Sequence, residues 1–243
     1  MTSNRPLGHV KISSGDLEEI LEFIAGRISE NKKTYCIPLN LTKYVVSKDD
    51  QKLKNVMNAA DLLISDGISM VWLSKRAGYK DVHRVTGIDL AEKVLSHSKA
   101  RGWRIFFLGA TPENLTKAIG NVKFRFNNPE IAGYHHGYFK QDEIENIITL
   151  VNESNADILF IGLGMPQKEY FIGDYIGRIN VKFCLAIGGA FDIWAGAKRR
   201  TPNLIQMLGL EWLFRSLYDK NKVLNITKYG FIFLKDLLNY KRG

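Results

Sequence analysis

The sequence predicts an α/β fold: a Rossmann-like parallel sheet with helices on both faces, followed by a basic helical appendage at the C-terminus. Short apolar segments without polar alternation recur along the chain, as in strands that are buried on both faces. Segments with helical periodicity separate them, which is the arrangement that connects parallel strands. The chain has 243 residues, of which 45% are hydrophobic, enough for one large domain and a small addition.

The apolar segments are predicted to be strands because they are short and bounded by turn residues. They are residues 10–12, 34–40, 62–65, 104–108, 131–134, 158–161 and 183–187. From residue 104 onward, most of these strands lead through a turn that contains glycine into a helical segment. That regular order predicts consecutive βα units of one parallel sheet.

Helices are predicted where apolar residues recur every three or four positions. In the first helix Ile20, Ile24 and Ile28 share one face, and Asp16 offers a capping oxygen at its start. The predicted helices cover about residues 16–30, 50–61, 87–101, 112–126, 142–154 and 167–179.

The net charge of +9 is concentrated at the C-terminus. Residues 198–243 carry ten basic and three acidic side chains, a net charge of +7, among many aromatic and aliphatic residues. We therefore predict a catalytic domain over residues 1–197 and a basic amphipathic appendage over residues 198–243 that binds an anionic membrane surface. An ordinary C-terminal helix, packed on the domain or on a second subunit of a homo-oligomer, is the alternative.

Cysteine usage and hydropathy indicate the compartment. Cys36 and Cys184 lie in separate apolar segments and form neither a disulfide framework nor a zinc site, which fits a reducing environment. The first 16 residues lack the apolar stretch of a signal peptide, and no run of ~18 apolar residues occurs. We expect a cytoplasmic protein.

Small and polar residues follow the strands at the edge where parallel sheets bind ligands. They are Asn40, Asp66-Gly67, Gly109-Ala110-Thr111, residues 162–167 and residues 188–192. Glycine lets a ligand approach the backbone, and the free N–H groups of a following helix bind phosphate. These turns together predict a site for a phosphate-bearing ligand.

This site lacks the two common nucleotide motifs. Gly162-Leu163-Gly164 is not followed by a third glycine at the required spacing, and no Gly-Lys-Ser or Gly-Lys-Thr occurs. A dinucleotide oxidoreductase and a P-loop NTPase are therefore disfavoured. Asp192 suits either a ribose diol or the start of a helix, and Tyr138 suits either stacking on a base or burial in the core.

An ordered series of motifs resembles the WecG/TagA/CpsF glycosyltransferases from about residue 30 to residue 220. The motifs are Ser65-Asp66-Gly67 and residues 84–90, 107–110, 137–139, 162–169, 188–192, 195–196, 199–202 and 209–215. The series is specific, although no single motif is.

The resemblance implies an inverting glycosyltransferase that uses a UDP-sugar and needs no metal and no cofactor. Members act on polyprenyl-diphosphate-linked sugars during synthesis of teichoic acid, enterobacterial common antigen or capsule. The expected reaction moves an N-acetylmannosamine-type sugar, or a related hexose or uronic acid, to a lipid-linked saccharide at the inner face of the cell membrane. The appendage is expected to help the enzyme reach that membrane and to complete the active site.

The resemblance also implies residue roles. Asp66 matches the proposed base, Arg84 an arginine for the diphosphate or the leaving group, and Gln167 is expected to orient a sugar or phosphate. Residues expected at the UDP-sugar are Gly67, Gly109, Ala110, Tyr138, Gly162, Gly164, Gly188, Gly189 and Asp192. Residues expected at the acceptor or its diphosphate are Asn40, Thr86, Arg215 and Lys222.

No metal site is predicted. The sequence lacks an Asp-x-Asp pair for a metal–diphosphate complex. His135 and His136 are neighbours on an extended segment, so their side chains are expected to point to opposite faces.

Two other functions stay open at this point. A transferase of the same fold that uses UDP-glucose or UDP-glucuronate with another acceptor would carry the same motifs. A basic nucleic-acid-binding module is supported only by the charge of the C-terminal segment, and no RNP, KH or helix-turn-helix signature accompanies that charge. We therefore expect no nucleic-acid partner.

Overall fold

The computed structural model describes residues 2–202, residue 205 and residues 220–240, with side chains in the last segment described from residue 228 onward. The chain forms two compact units. The first unit combines residues 1–19, 38–86 and 200–243, and the second unit combines residues 20–37 and 87–199. The chain enters the first unit for the last time at residue 200.

All the predicted strands are confirmed, with ends that differ by one residue at most. In chain order the strands are β1 (Asn4–Leu7), β2 (Val10–Ser13), β3 (Thr34–Leu39), β4 (Leu62–Ser65), β5 (Arg104–Gly109), β6 (Glu130–His135), β7 (Ile158–Gly162) and β8 (Phe183–Ala186). Six of them form one parallel sheet in the order β4-β3-β8-β7-β5-β6, and β1 and β2 form an antiparallel hairpin.

The predicted helices are also present, and several further helices accompany them. The helices of the described residues are α1 (Leu17–Ser29), α2 (Leu41–Val46), α3 (Gln51–Ala59), α4 (Ile68–Ala77), α5 (Gly87–Arg101), α6 (Pro112–Arg125), α7 (Ile144–Glu153), α8 (Gln167–Tyr175), α9 (Ala190–Trp194) and α10 (Lys220–Asn239). The predicted helix 167–179 ends earlier, because α8 tightens into a 3-10 turn over Ile176–Arg178.

Side-chain caps fix where several helices begin. The Asp16 carboxylate accepts a hydrogen bond from the Glu19 N–H at 2.9 Å, and the Glu19 carboxylate accepts one from the Asp16 N–H at 3.1 Å. This reciprocal capping box starts α1 and confirms the predicted cap. Thr111 caps α6 in a similar way, because its hydroxyl accepts a hydrogen bond from the Asn114 N–H at 3.2 Å.

The core of the second unit is aromatic. The Phe107 and Phe191 rings are stacked, with centroids 5.1 Å apart, and Trp194 lies within 6.1 Å of Phe107. Phe107, Phe160 and Phe191 are fully buried. Each such side chain contributes roughly 1.5–3 kcal/mol when it leaves water. This cluster joins β5, β7 and α9 beneath the carboxyl ends of the strands.

In the first unit the β1–β2 hairpin packs on β4 and α3. The Leu63 N–H donates to the Ser13 hydroxyl at 2.8 Å, and the Lys11 N–H donates to Asn58 Oδ1 at 3.0 Å. An ion pair of 2.8 Å between Arg5 and Asp81 joins β1 to the segment after α4. Among the described helices of the chain, none is both long enough and apolar enough to cross a bilayer.

Candidate active site

In the first unit the backbone brings the predicted base next to the predicted acceptor asparagine. Asp66 directly follows β4, and its N–H donates to the carbonyl of Leu39, the last residue of β3, at 2.8 Å. Asn40 is the next residue after Leu39. The Asp66 side chain is half-buried. Asp66 and Asn40 are therefore held at the ends of neighbouring strands.

The predicted arginine belongs to the same cluster. Arg84 forms a parallel β-bridge with Ser65, and the Val85 N–H donates to the Ser65 carbonyl at 3.0 Å. The Arg84 side chain is half-buried, whereas Thr86, the last residue of this segment, is only 6% exposed. The structure therefore brings Asn40, Asp66, Arg84 and Thr86 to one edge of the first unit.

Asn40 of this cluster and Gly67, the residue after Asp66, directly precede helices. Asn40 caps α2, because its Oδ1 accepts a hydrogen bond from the Lys43 N–H at 3.0 Å. Gly67 precedes α4 and has φ 132°, a value that L side chains rarely adopt. Gly67 makes no side-chain cap, so α4 presents its first N–H groups beside Asp66 without a capping side chain.

In the second unit the turn after β5 has unusual backbone geometry. Gly109 has φ 147° and Ala110 has φ 58°, which is uncommon for a residue with a Cβ atom. The Ala110 carbonyl accepts a hydrogen bond from the Gly137 N–H at 2.8 Å. Such strain is frequent at functional sites.

Several rim glycines are required by packing within the second unit. A Cβ atom on Gly109 would lie 2.6 Å from the Gly162 carbonyl carbon, and one on Gly162 would lie 2.4 Å from the Phe191 ring. The sequence predicts that these glycines let a ligand approach, and close contact with the end of β7 and with Phe191 of α9 is a further reason for glycine at the two positions. Gly164 and Gly189 are the exposed members of the rim.

Gln167 is the first residue of α8 and is exposed, and the Met165–Pro166 peptide bond before it is cis. The next two residues were not singled out from the sequence, yet they are the more unusual ones. Lys168 and Glu169 are 5% and 0% exposed and form an ion pair of 3.2 Å. The spacing of Lys168 from buried Phe171 and Ile172 is the helical signal that places it on the inner face.

Asp192, the residue predicted for a ribose, has partners within the second unit. Its carboxylate accepts a hydrogen bond from Asn114 Nδ2 at 3.0 Å and pairs with Lys198. It lies in the first turn of α9, whose N-cap residue is Gly189. Asp192 is therefore not the cap residue itself, and its carboxylate ties α6, α9 and the segment after α9 together.

Tyr138 is 72% exposed, so the alternative of a buried core tyrosine is wrong. The expectation for the neighbouring histidines is also wrong. The His135 and His136 ring centroids are 4.5 Å apart because β6 ends at His135, and strand alternation does not continue beyond it. The described part of the chain contains no group of three metal-binding side chains.

Two predicted residues cannot be assigned to this geometry. Arg215 lies outside the described residues, and Lys222 lies in α10 at a position whose side chain is not described. A cavity of about 470 Å³ in the first unit is lined by Gly8, His9, Tyr44, Lys48, Asp236, Asn239 and Tyr240. None of the predicted site residues lines it.

The six-stranded parallel sheet with flanking helices is a Rossmann-like fold, and comparison with known proteins defines the class. The chain belongs to the glycosyl transferase WecG/TagA/CpsF family, which it matches over residues 5–243. A curated relative is the N-acetylglucosaminyldiphosphoundecaprenol N-acetyl-beta-D-mannosaminyltransferase of Bacillus spizizenii. The two are 30% identical over 211 residues, which cover 86% of this chain and 81% of the relative.

Proposed function

We propose that this glycosyltransferase moves an N-acetylmannosamine-type sugar from a UDP-sugar to a polyprenyl-diphosphate-linked saccharide, with inversion at the anomeric carbon. Family membership and the name of the curated relative support the transfer and the acceptor class. The observation that carries the proposal for this chain is the first-unit cluster, in which backbone hydrogen bonds hold Asn40, Asp66 and Arg84 at adjacent segment ends.

In this reaction Asp66 is the general base. Its carboxylate removes the proton from the acceptor hydroxyl as that oxygen forms a bond to the anomeric carbon, while the bond from this carbon to the UDP β-phosphate oxygen breaks. One proton moves to Asp66, and UDP leaves with the electron pair. The peptide group between Ser65 and Asp66 is hydrogen-bonded to Leu39 on one side and to Val85 on the other. This fixed backbone supports the role of Asp66, because a base acts well only when its position is preorganised.

Arg84 is proposed to offset the negative charge that develops on the departing diphosphate. A guanidinium carries a permanent charge and a rigid fork of donors, which suits phosphate oxygens. The second-unit turns at Gly109-Ala110, Gly162–Gly164 and Gly188-Gly189 are proposed to bind the nucleotide, with exposed Tyr138 for the base and Gln167 for the sugar or phosphate. Asn40, Thr86, Arg215 and Lys222 are proposed to serve the acceptor.

We further propose that α10 attaches the enzyme to an anionic membrane surface. Phe231, Leu234 and Leu238 are 77%, 48% and 67% exposed, and exposed Lys228 and Lys235 lie at helical spacing from them. A face with apolar and basic residues suits a membrane interface. This attachment would keep the enzyme at the surface that contains its lipid-linked acceptor.

The decisive test replaces the base. Asp66→Asn keeps the size and hydrogen-bonding capacity of the side chain but removes its ability to accept the acceptor proton. We expect UDP affinity, measured by calorimetry, to stay within about twofold, while transfer to a short-chain lipid-diphosphate saccharide falls roughly 10²- to 10⁴-fold.

Asp49→Asn is the matched control, because Asp49 is an exposed aspartate of the same unit. It should transfer sugar at the parental rate. Unchanged transfer by Asp66→Asn would remove Asp66 from the mechanism, and failure of the parental protein to bind UDP would overturn the UDP-sugar donor.

A further inference from the structure

The buried ion pair at the start of α8 needs an explanation other than stability. Lys168 Nζ and Glu169 Oε1 are 3.2 Å apart, and both residues are almost fully buried. Removing two charges from water is unfavourable, and exchange of such a pair for apolar side chains is often neutral or stabilising. A buried ion pair is therefore retained more readily where its charge has a use.

The position of Lys168 indicates that use. Its Cε atom lies 3.8 Å from the point that a Cβ atom on Gly188 would occupy, so the end of the side chain packs against the Gly188-Gly189 turn. The N–H groups of Ile187 and Gly188 donate to the Ile161 carbonyl at 2.9 and 3.3 Å, which anchors this turn to the end of β7. Lys168 is thus the cation next to the two-glycine turn at the carboxyl edge of the sheet.

The turn itself offers room for a ligand. Gly188 has φ 56°, and a Cβ atom on Gly189 would meet nothing within 4 Å. Gly189 is exposed, whereas the charge of Lys168 lies in the interior, where Coulomb interactions are stronger than at the surface. Solvent would therefore screen the lysine charge little for an anion that binds over these glycines, although the Glu169 carboxylate partly offsets it.

The other basic residues near this turn are less suited to bind an anion there. Lys198 and Arg199, which follow α9 in this unit, are exposed, so solvent and salt screen their charges. Lys182 pairs with Asp157 at 2.8 Å, and both residues directly precede their strands, at the amino edge of the sheet. Among the described residues of the second unit, Lys168 is the cation that is more than nine-tenths buried.

We propose that Lys168 recognises the diphosphate of the nucleotide over the Gly188-Gly189 turn, with Glu169 as the counter-ion that keeps its ammonium group in place. This inference rests on the proposed UDP-sugar donor. It makes Lys168 the residue of the second unit that binds the negative charge of the diphosphate, and exposed Gln167 then contacts the sugar. It makes Lys168 a binding residue for the donor and for the UDP product.

The test compares UDP with uridine, since the two ligands differ only in the diphosphate. Calorimetry on the full chain should give the parental protein a clear preference for UDP. Lys168→Met should weaken UDP binding roughly 10- to 100-fold, the size expected for loss of a charged hydrogen-bond donor, with uridine affinity unchanged. Lys182→Met, which removes a cation at the amino edge, should leave both affinities at the parental value.

A second variant separates loss of the lysine charge from loss of folding. Lys168→Met leaves the Glu169 carboxylate in the interior, whereas Lys168→Met/Glu169→Gln removes both charges and keeps the shapes of the side chains. Circular dichroism and thermal melting establish that each variant is folded. A folded variant of either kind that keeps the parental preference for UDP over uridine overturns the role of Lys168. A parental protein that binds UDP no better than uridine overturns instead the UDP-sugar donor itself.

Discussion

Gly162 shows how one residue can meet two demands. It ends β7 at the edge where ligands bind, which is why the sequence suggested a role in nucleotide binding. Its missing Cβ atom is required for another reason, since that atom would lie 2.4 Å from the Phe191 ring and 3.0 Å from the Gly188 carbonyl oxygen. Sequence alone does not reveal such a contact, because it depends on where α9 packs.

Gly162→Ala should therefore destabilise the protein. Relief of the contact requires movement of a ring in the aromatic core, and overpacking of this kind costs about 1–3 kcal/mol in the free energy of unfolding. Urea unfolding monitored by tryptophan fluorescence measures the change. Gly120→Ala is the control, because Gly120 lies in α6 with nothing within 4 Å of an added Cβ atom. That variant should be more stable than the parent by about 0.5–1 kcal/mol, and equal stability of the two variants would contradict the packing argument.

Lys168 and Glu169 are a second case in which the structure shows what the sequence pattern does not. The sequence points to Gln167 at the helix start, because its amide can both donate and accept hydrogen bonds to a sugar or phosphate. The buried face of α8 instead includes the two charged residues next to it. Helical periodicity predicts this inward position from Phe171 and Ile172, but a charged residue is rarely assigned to the interior from pattern alone.

One face of α10 is attached to the first unit by side-chain contacts. Phe233 is 5% exposed and packs edge-on against Tyr44 of α2, with ring centroids 6.2 Å apart. Asp236 pairs with Lys48, and the Tyr240 hydroxyl accepts a hydrogen bond from the Gly8 N–H at 3.2 Å. These contacts attach one face of the helix to the first unit, and burial raises the pKa of the Tyr44 hydroxyl well above its usual value.

The same contacts predict a pH dependence of stability. Burial lowers the pKa of His9 below its ordinary value of 6.5, and the nearby cations Lys48 and Lys54 lower it further, against weaker opposition from Asp236. The unfolded chain therefore binds a proton at this residue more readily than the folded chain does. The free energy of unfolding should decrease as the pH falls below about 6.5.

Urea unfolding between about pH 5 and pH 7.5 tests this dependence. His9→Gln keeps a polar side chain without a titrating proton, so its stability should decrease less over this range than that of the parent. His83→Gln replaces an exposed histidine of the same unit and should follow the parental curve. Identical slopes for His9→Gln and the parent would exclude His9 as the titrating group.

Prediction of elements succeeded where apolar runs were long and separated by helices. It missed α2, which has only six residues, and α4, whose hydrophobic pattern is weak and whose preceding residue Gly67 provides no capping side chain. It also missed β1, which contains Pro6 and is half of a hairpin outside the main sheet. Proline and short length both weaken the local signal that such predictions require.

Under the proposed function, the exposed face of α10 determines where the enzyme works. Phe231→Ser/Leu238→Ser should reduce binding to vesicles of anionic phospholipid at least about tenfold, because each buried apolar side chain contributes roughly 1.5–3 kcal/mol. Vesicle sedimentation measures the bound fraction. The effect should persist in high salt, which weakens only the contribution of lysines.

Phe124→Ser is the matched control for this experiment. Phe124 lies in α6 of the second unit and is 89% exposed, so it is at least as accessible as the residues of α10. Its replacement should leave vesicle binding unchanged. Equal losses in the two variants would indicate nonspecific adsorption, and no loss in the α10 variant would contradict attachment through this helix.

The grouping of distant chain segments into one unit leaves no signal in the sequence. Charge and motif order suggested one catalytic domain followed by an appendage. Among the described residues, 220–240 belong with two N-terminal segments to the first unit. Contacts between residues more than 200 positions apart, such as Gly8 with Tyr240, leave no periodic pattern in the sequence.

This interleaving has a consequence for synthesis on the ribosome. A nascent chain emerges from its N-terminus, and contiguous regions fold first. The long continuous stretch of the second unit, residues 87–199, is complete while residues 220–240 are still to be translated. Gly8 and Tyr44 therefore gain their partners Tyr240 and Phe233 only at the end of synthesis, whereas the contacts of the N-terminal hairpin with β4 and α3 can form earlier.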